Sequence, residues 1–246
     1  MDVMYRSGHY HRRYTQRETD RLFRPILHGI FVPEDDPNSF VKRDPGPDLF
    51  QNRDWKIFAG LADPWGGCVT NPPLGENDPR NDHFLNPESM EWEMLRPLFH
   101  ALVEQEIDEI IHMGGQLPEP ETDNPDSLDD SFFGAVTSPP LQDATFFAYS
   151  QHPAFVIGEA YMFSRDGRWG IYGSTDGFFV CGGEPGLIDR VFQLAGGEDC
   201  LKELFYRRFR TSNSNELWRS MLPKTSIMLG MCKLSGWDPL PEMYDP

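Results

Sequence analysis

The sequence lacks the local patterns by which many enzymes and metal proteins are recognised. Neither Gly-x-Ser-x-Gly nor His-Glu-x-x-His occurs, so neither an α/β-hydrolase nucleophile elbow nor a helical zinc site is supported. The four cysteines form no Cys-x-x-Cys pair, and we expect reduced thiols buried as small apolar side chains. The sequence therefore predicts no cofactor and no bound metal. These cysteines are Cys68, Cys181, Cys200 and Cys232.

Long apolar segments are also missing. No uninterrupted apolar run approaches the roughly 20 residues that a bilayer-spanning helix needs. Tyr5 to Arg24 is polar and basic, where a secretory signal would carry an apolar core. We therefore expect a cytoplasmic protein that does not associate with membranes.

Basic residues are scarce, with 22 Lys and Arg against 39 Asp and Glu, so the formal net charge is -17. Six arginines lie in residues 1–24, predicted as a basic N-terminal arm before a single domain at 25–246. Between Glu104 and Asp130 there is no Lys or Arg. An acidic surface repels nucleic acid and attracts cationic partners, so we predict a basic protein partner. The alternative is that the negative charge serves only to keep the protein soluble. The predicted binding residues are Glu104, Asp108, Glu109, Glu119, Glu121, Asp123, Asp126, Asp129 and Asp130.

The clearest positive signal is the stretch Ala154 to Gly197. Ala154 to Phe163 has apolar residues at both odd and even positions, which is typical of a strand covered on both faces. Asp166-Gly167 and Asp176-Gly177 are hairpin signals, the first being assigned to a type I′ turn with two positive φ angles. The stretch predicts an antiparallel meander over about 154–181, then a helix from Pro185 that Gly196-Gly197 ends.

The whole chain is thus expected to be α+β, an antiparallel sheet packed by helices, with long loops at 62–86 and 116–131. Strands are also predicted at 25–32 and 55–61. A long helical region is predicted from Asn86 to Gly114, with Pro97 as a kink or a second start.

On that helical region, four side chains recur every four residues opposite the apolar face. Such a stripe could hold metal ligands, and Glu109 with His112 gives half of a di-iron pattern. We interpret it as a solvated face, while Glu106 falls inside the apolar arc as a buried carboxylate or as the edge of that arc. The stripe consists of His100, Glu104, Asp108 and His112.

Trp169-Gly-Ile-Tyr, Asp176-Gly-Phe-Phe-Val-Cys-Gly-Gly and Leu187-Ile-Asp-Arg-Val-Phe together resemble a pattern of uncharacterised bacterial proteins. Some of these are immunity proteins of toxin–antitoxin or contact-dependent competition systems. The resemblance spans about 30 residues, Trp169 to Phe192. It implies an acidic cytoplasmic protein that neutralises a cognate toxin by binding it.

Two other functions stay open at this point. One is a hydrolase-like enzyme with a dispersed site of carboxylates and His28, His83 or His152, because such a site leaves no local pattern. The other is a structural component that assembles with itself. The leading hypothesis is a non-catalytic acidic binding protein.

Overall fold

The computed structural model describes residues 2–4, 10–13, 16–33, 48–61, 90–107, 110–114, 136–138, 160–174, 178–214, 219 and 222–244. The predicted loops at 62–86 and 116–131 lie outside these residues. So do 154–159, the first part of the predicted meander.

The described strands form one antiparallel sheet, in the order β1-β2-β5-β4-β6-β7-β8-β3. Helices and strands together make an α+β fold, as predicted, and β6, β7 and β8 are neighbours in the sheet. The strands are β1 Asp2–Met4, β2 Tyr10–Arg13, β3 Lys56–Leu61, β4 Ile110–Gly114, β5 Val136–Ser138, β6 Ala160–Phe163, β7 Trp169–Ser174 and β8 Phe178–Gly183.

Six α-helices accompany this sheet in the described ranges, and Pro97 lies inside the third of them. A short 3-10 helix, Pro241–Met243, follows the last. The helices are α1 Gln16–Leu22, α2 Arg24–Ile30, α3 Met90–Glu104, α4 Pro185–Leu194, α5 Glu198–Asn213 and α6 Thr225–Ser235.

One side of the sheet, to which Phe58, Ile171 and Cys181 point, is the helix face. The stripe of α4 packs here, with the ring centroids of Phe192 and Phe58 6.2 Å apart. Helix α3 packs on α4 and α5, while α5 and α6 contact the edge strand β3. The predicted helix after the meander is confirmed, including its start at Pro185. Ala195, the fifth residue of its predicted apolar stripe, lies half-buried just after the last helical residue. The other four are buried: Leu187, Ile188, Val191 and Phe192.

The other side, to which Tyr161, Gly170 and Gly182 point, is the glycine face. Gly170 and Gly182 are directly paired across β7 and β8, so two adjacent sheet positions carry no side chain. The rings of Phe31 and Phe50 approach this bare patch, with centroids 5.1 Å apart. A Cβ at Gly182 would lie 2.8 to 3.0 Å from three ring carbons of Phe50, so a side chain there cannot fit without displacing that ring.

The β6–β7 hairpin differs from the predicted turn type. The amide of Gly167 donates to the carbonyl of Ser164 at 3.0 Å, and Gly167 has a φ of 70°. Asp166 has no positive φ, so the type I′ assignment is wrong. The Asp166 carboxylate accepts bonds from the Ser164 hydroxyl and from the amide of Arg168 instead, which is the usual way aspartate stabilises a turn.

The strand predicted at 25–32 is helix α2. Pro25 occupies its first turn, where a missing N–H costs nothing, and Leu27 and Ile30 are buried three residues apart. A short apolar run does not separate strand from buried helix by its periodicity. Here the proline was the better signal.

The helix predicted to reach Gly114 ends at Glu104, and residues 110–114 form β4 instead. Ile110 and Ile111 are β-branched and favour the pleated sheet, where they pair opposite Ser138 and Thr137. Glu106 is exposed with a φ of 56°, so of its two interpretations the buried carboxylate is wrong.

The proposed stripe on that helix is therefore not one helical face. His100 and Glu104 lie in α3, whereas His112 lies in β4. Asp108 and Glu109 lie outside the described residues.

Residues 1–24, predicted as an arm, contribute β1, β2 and α1. Strand β2 pairs with β5, so this segment extends the sheet. Phe23, between α1 and α2, is fully buried.

Candidate functional site

Of the nine predicted binding residues, Glu104 is the one that the structure describes, as the last residue of α3. The other eight, Asp108, Glu109, Glu119, Glu121, Asp123, Asp126, Asp129 and Asp130, lie outside the described residues.

Glu104 is held by Arg190 of α4. The arginine donates from Nε to Oε2 at 2.6 Å and from Nη2 to Oε1 at 2.8 Å, a two-point guanidinium–carboxylate contact. The hydrogen bond from Arg190 lowers the pKa of Glu104, so the carboxylate stays charged at neutral pH. A basic partner would compete with Arg190 for this charge.

A second arginine also links the end of α3 to the start of α4. Arg168, the residue before β7, donates from Nε to Glu184 Oε2 at 2.8 Å and from Nη2 to Gln105 Oε1 at 3.3 Å. The end of α3 and the residue before α4 are thus joined through one guanidinium.

The polar side of α4 is also engaged within the chain. Asp189 forms an ion pair with Lys56 of β3. Arg190 donates from Nη1 to Gln193 at 3.2 Å in addition to its bonds with Glu104. This side of α4 consequently presents few charges that are free to meet a partner.

Acidic side chains outside such pairs occur where α5 begins and in the C-terminal segment. Asp199 and Glu242 are exposed, and no ion pair joins either to another described residue. Glu198 accepts a hydrogen bond from the indole Nε1 of Trp237 at 3.1 Å. Acids in the first turn of a helix also complement its dipole, so a structural role explains Glu198 and Asp199 without a partner.

Two of the three thiols that the structure describes are buried and protonated, which does not suit a nucleophile. Burial raises the pKa of the Cys181 thiol and raises the pKa of Cys232 to about 11, so both stay protonated at neutral pH. Cys200 is exposed, contrary to the expectation of a buried thiol, and its Sγ donates to the carbonyl of Gly196 at 3.4 Å. Cys68 lies outside the described residues.

Within the described ranges, no group of three or more His, Cys, Asp or Glu side chains is arranged to hold a metal ion. Of the histidines considered for a dispersed hydrolase site, His28 lies half-buried in α2. His83 and His152 lie outside the described residues.

Among the helices that the structure describes, none combines the length and the apolar character needed to cross a bilayer.

No family model, no curated protein and no solved structure matches this chain. The described residues of the segment Trp169 to Phe192, on which the predicted resemblance rests, form β7, β8 and most of α4, and residues 175–177, with the second predicted Asp-Gly turn, lie outside the described residues.

Proposed function

We propose that this protein is a non-catalytic acidic binding protein of bacterial type, an immunity protein that neutralises a cognate toxin by protein–protein binding in the cytoplasm. The observation that carries the proposal is the surplus of acid, a formal net charge of -17. The resemblance of the segment Trp169 to Phe192 supplies the immunity role.

Electrostatics explains why such a charge suits this task. Nuclease toxins have basic active-site clefts, and a complementary potential raises the rate of encounter about 10- to 10³-fold at low salt. Three of the described acids, Glu104, Asp189 and Glu184, already form ion pairs with arginine or lysine side chains of the same chain. The proposal therefore assigns the main binding role to the acids of 119–130, a stretch without Lys or Arg.

The direct test is a pull-down with the purified protein at low salt, which should recover a basic protein as its partner. Co-expression is expected to relieve the toxicity of that partner, and calorimetry with the purified pair is expected to give a Kd that increases as NaCl rises from about 0.05 to about 0.5 M. Absence of both binding and growth rescue, with a folded protein, would overturn the proposal.

Two variants with equal charge change locate the binding acids. Asp123→Asn, Asp126→Asn and Asp129→Asn together should weaken binding about tenfold or more, because they remove three negative charges from the proposed surface. The matched control combines Asp199→Asn, Asp238→Asn and Glu242→Gln, which are exposed and distant in sequence. It should change Kd by no more than a few-fold, and equal losses would mean that overall charge acts rather than this surface.

A further inference from the structure

We draw no further inference here: the strongest candidate, the exposed apolar side of α1 and α2 formed by Leu22, Pro25 and Gly29, carries no proposal because nothing in the structure shows what covers it.

Discussion

The two faces of the sheet are covered in different ways. On the helix face, large sheet side chains contact large helix side chains, as where Phe58 contacts Phe192 of α4. The exception there is Gly60, whose missing side chain makes room for the ring of its sheet neighbour Phe179. On the glycine face, Gly170 and Gly182 leave room into which Phe31 and Phe50 fit. Around Phe58 we expect side chains of both sheet and helix to move after a substitution, whereas the backbone of Gly182 beneath Phe50 has no side chain to move.

The largest expected effect on stability comes from removing one aromatic ring from the glycine face. Phe50→Ala should lower the free energy of unfolding by about 3–5 kcal/mol, measured by urea denaturation at pH 7. Phe50 is 4% exposed and its ring lies directly over Gly182, so its removal leaves a cavity floored by backbone.

Phe58→Ala is the matched truncation on the helix face, where Phe58 is fully buried. We expect its neighbours Phe179 and Phe192 to move partly into the space, so the loss of free energy of unfolding should fall at the lower end of the same range. A clearly greater loss for Phe58→Ala than for Phe50→Ala would contradict the comparison of the two faces.

A smaller but more specific effect is expected from adding one methyl group. Gly182→Ala should cost about 1–3 kcal/mol, since its Cβ would lie 2.8 to 3.0 Å from the Phe50 ring. In the Phe50→Ala background the same change should be neutral or stabilising, because the conflicting ring is gone.

The control for this pair is Gly186→Ala in the first turn of α4. A Cβ at Gly186 meets no atom within 4 Å, so alanine should stabilise the protein by up to about 1 kcal/mol. Equal losses from Gly182→Ala with and without Phe50 would show that the strand itself, and not the ring, requires glycine.

Sequence patterns reveal the helix face better than the glycine face. The stripe of α4 and the strand at 55–61 depend on local periodicity, and both predictions are confirmed. Glycine within a strand signals close approach, yet the rings that approach Gly182 and Gly170 come from residues 50 and 31, far away in the chain.

The same limit applies to the candidate site. The ion pair of Glu104 with Arg190 joins residues 86 positions apart, and no pattern around either residue points to the other. Helical spacing also fits Ile107, Ile110 and Ile111, which is why the sequence predicts a helix that continues past Glu104. The pairing of Ile110 and Ile111 in the sheet decides the outcome, which is a tertiary effect.

The hydrogen bond of Tyr206 should contribute less to the free energy of unfolding than the ring of Phe50 or Phe58. The Tyr206 hydroxyl of α5 donates to the carbonyl of Asp238, so Tyr206→Phe should cost about 0.5–1.5 kcal/mol at pH 7. Tyr244→Phe is the control, because Tyr244 is 59% exposed.

The pH dependence of Tyr206→Phe tests whether burial keeps this hydroxyl protonated in the folded protein. Burial raises the pKa of Tyr206 to about 12 from an ordinary value of 10.0, so its stabilisation is complete below pH 10 and is lost as pH rises towards 12. Denaturation midpoints of wild type and Tyr206→Phe should therefore converge over that range. Parallel midpoints would contradict a raised pKa for Tyr206.

The smallest effect on stability is expected from the ion pair between Glu104 of α3 and Arg190 of α4. Arg190 holds the pKa of Glu104 below its ordinary 4.5, so the pair stabilises the fold above that pH and the contribution fades as pH falls through the lowered pKa. Glu104→Gln should thus be slightly less stable than wild type at pH 7, and the difference should shrink at pH 3 and in 1 M NaCl.

Glu106→Gln is the control for this change, since Glu106 is exposed and joins no ion pair with another described residue. Urea midpoints measured from pH 3 to pH 7 should show the full difference between the two variants above about pH 4.5 and a shrinking difference as pH falls below it. A difference that survives at pH 3 and in high salt would mean that Glu104 acts through packing. Its charge would then not be committed to Arg190, and Glu104 would return to the set of acids available to a basic partner.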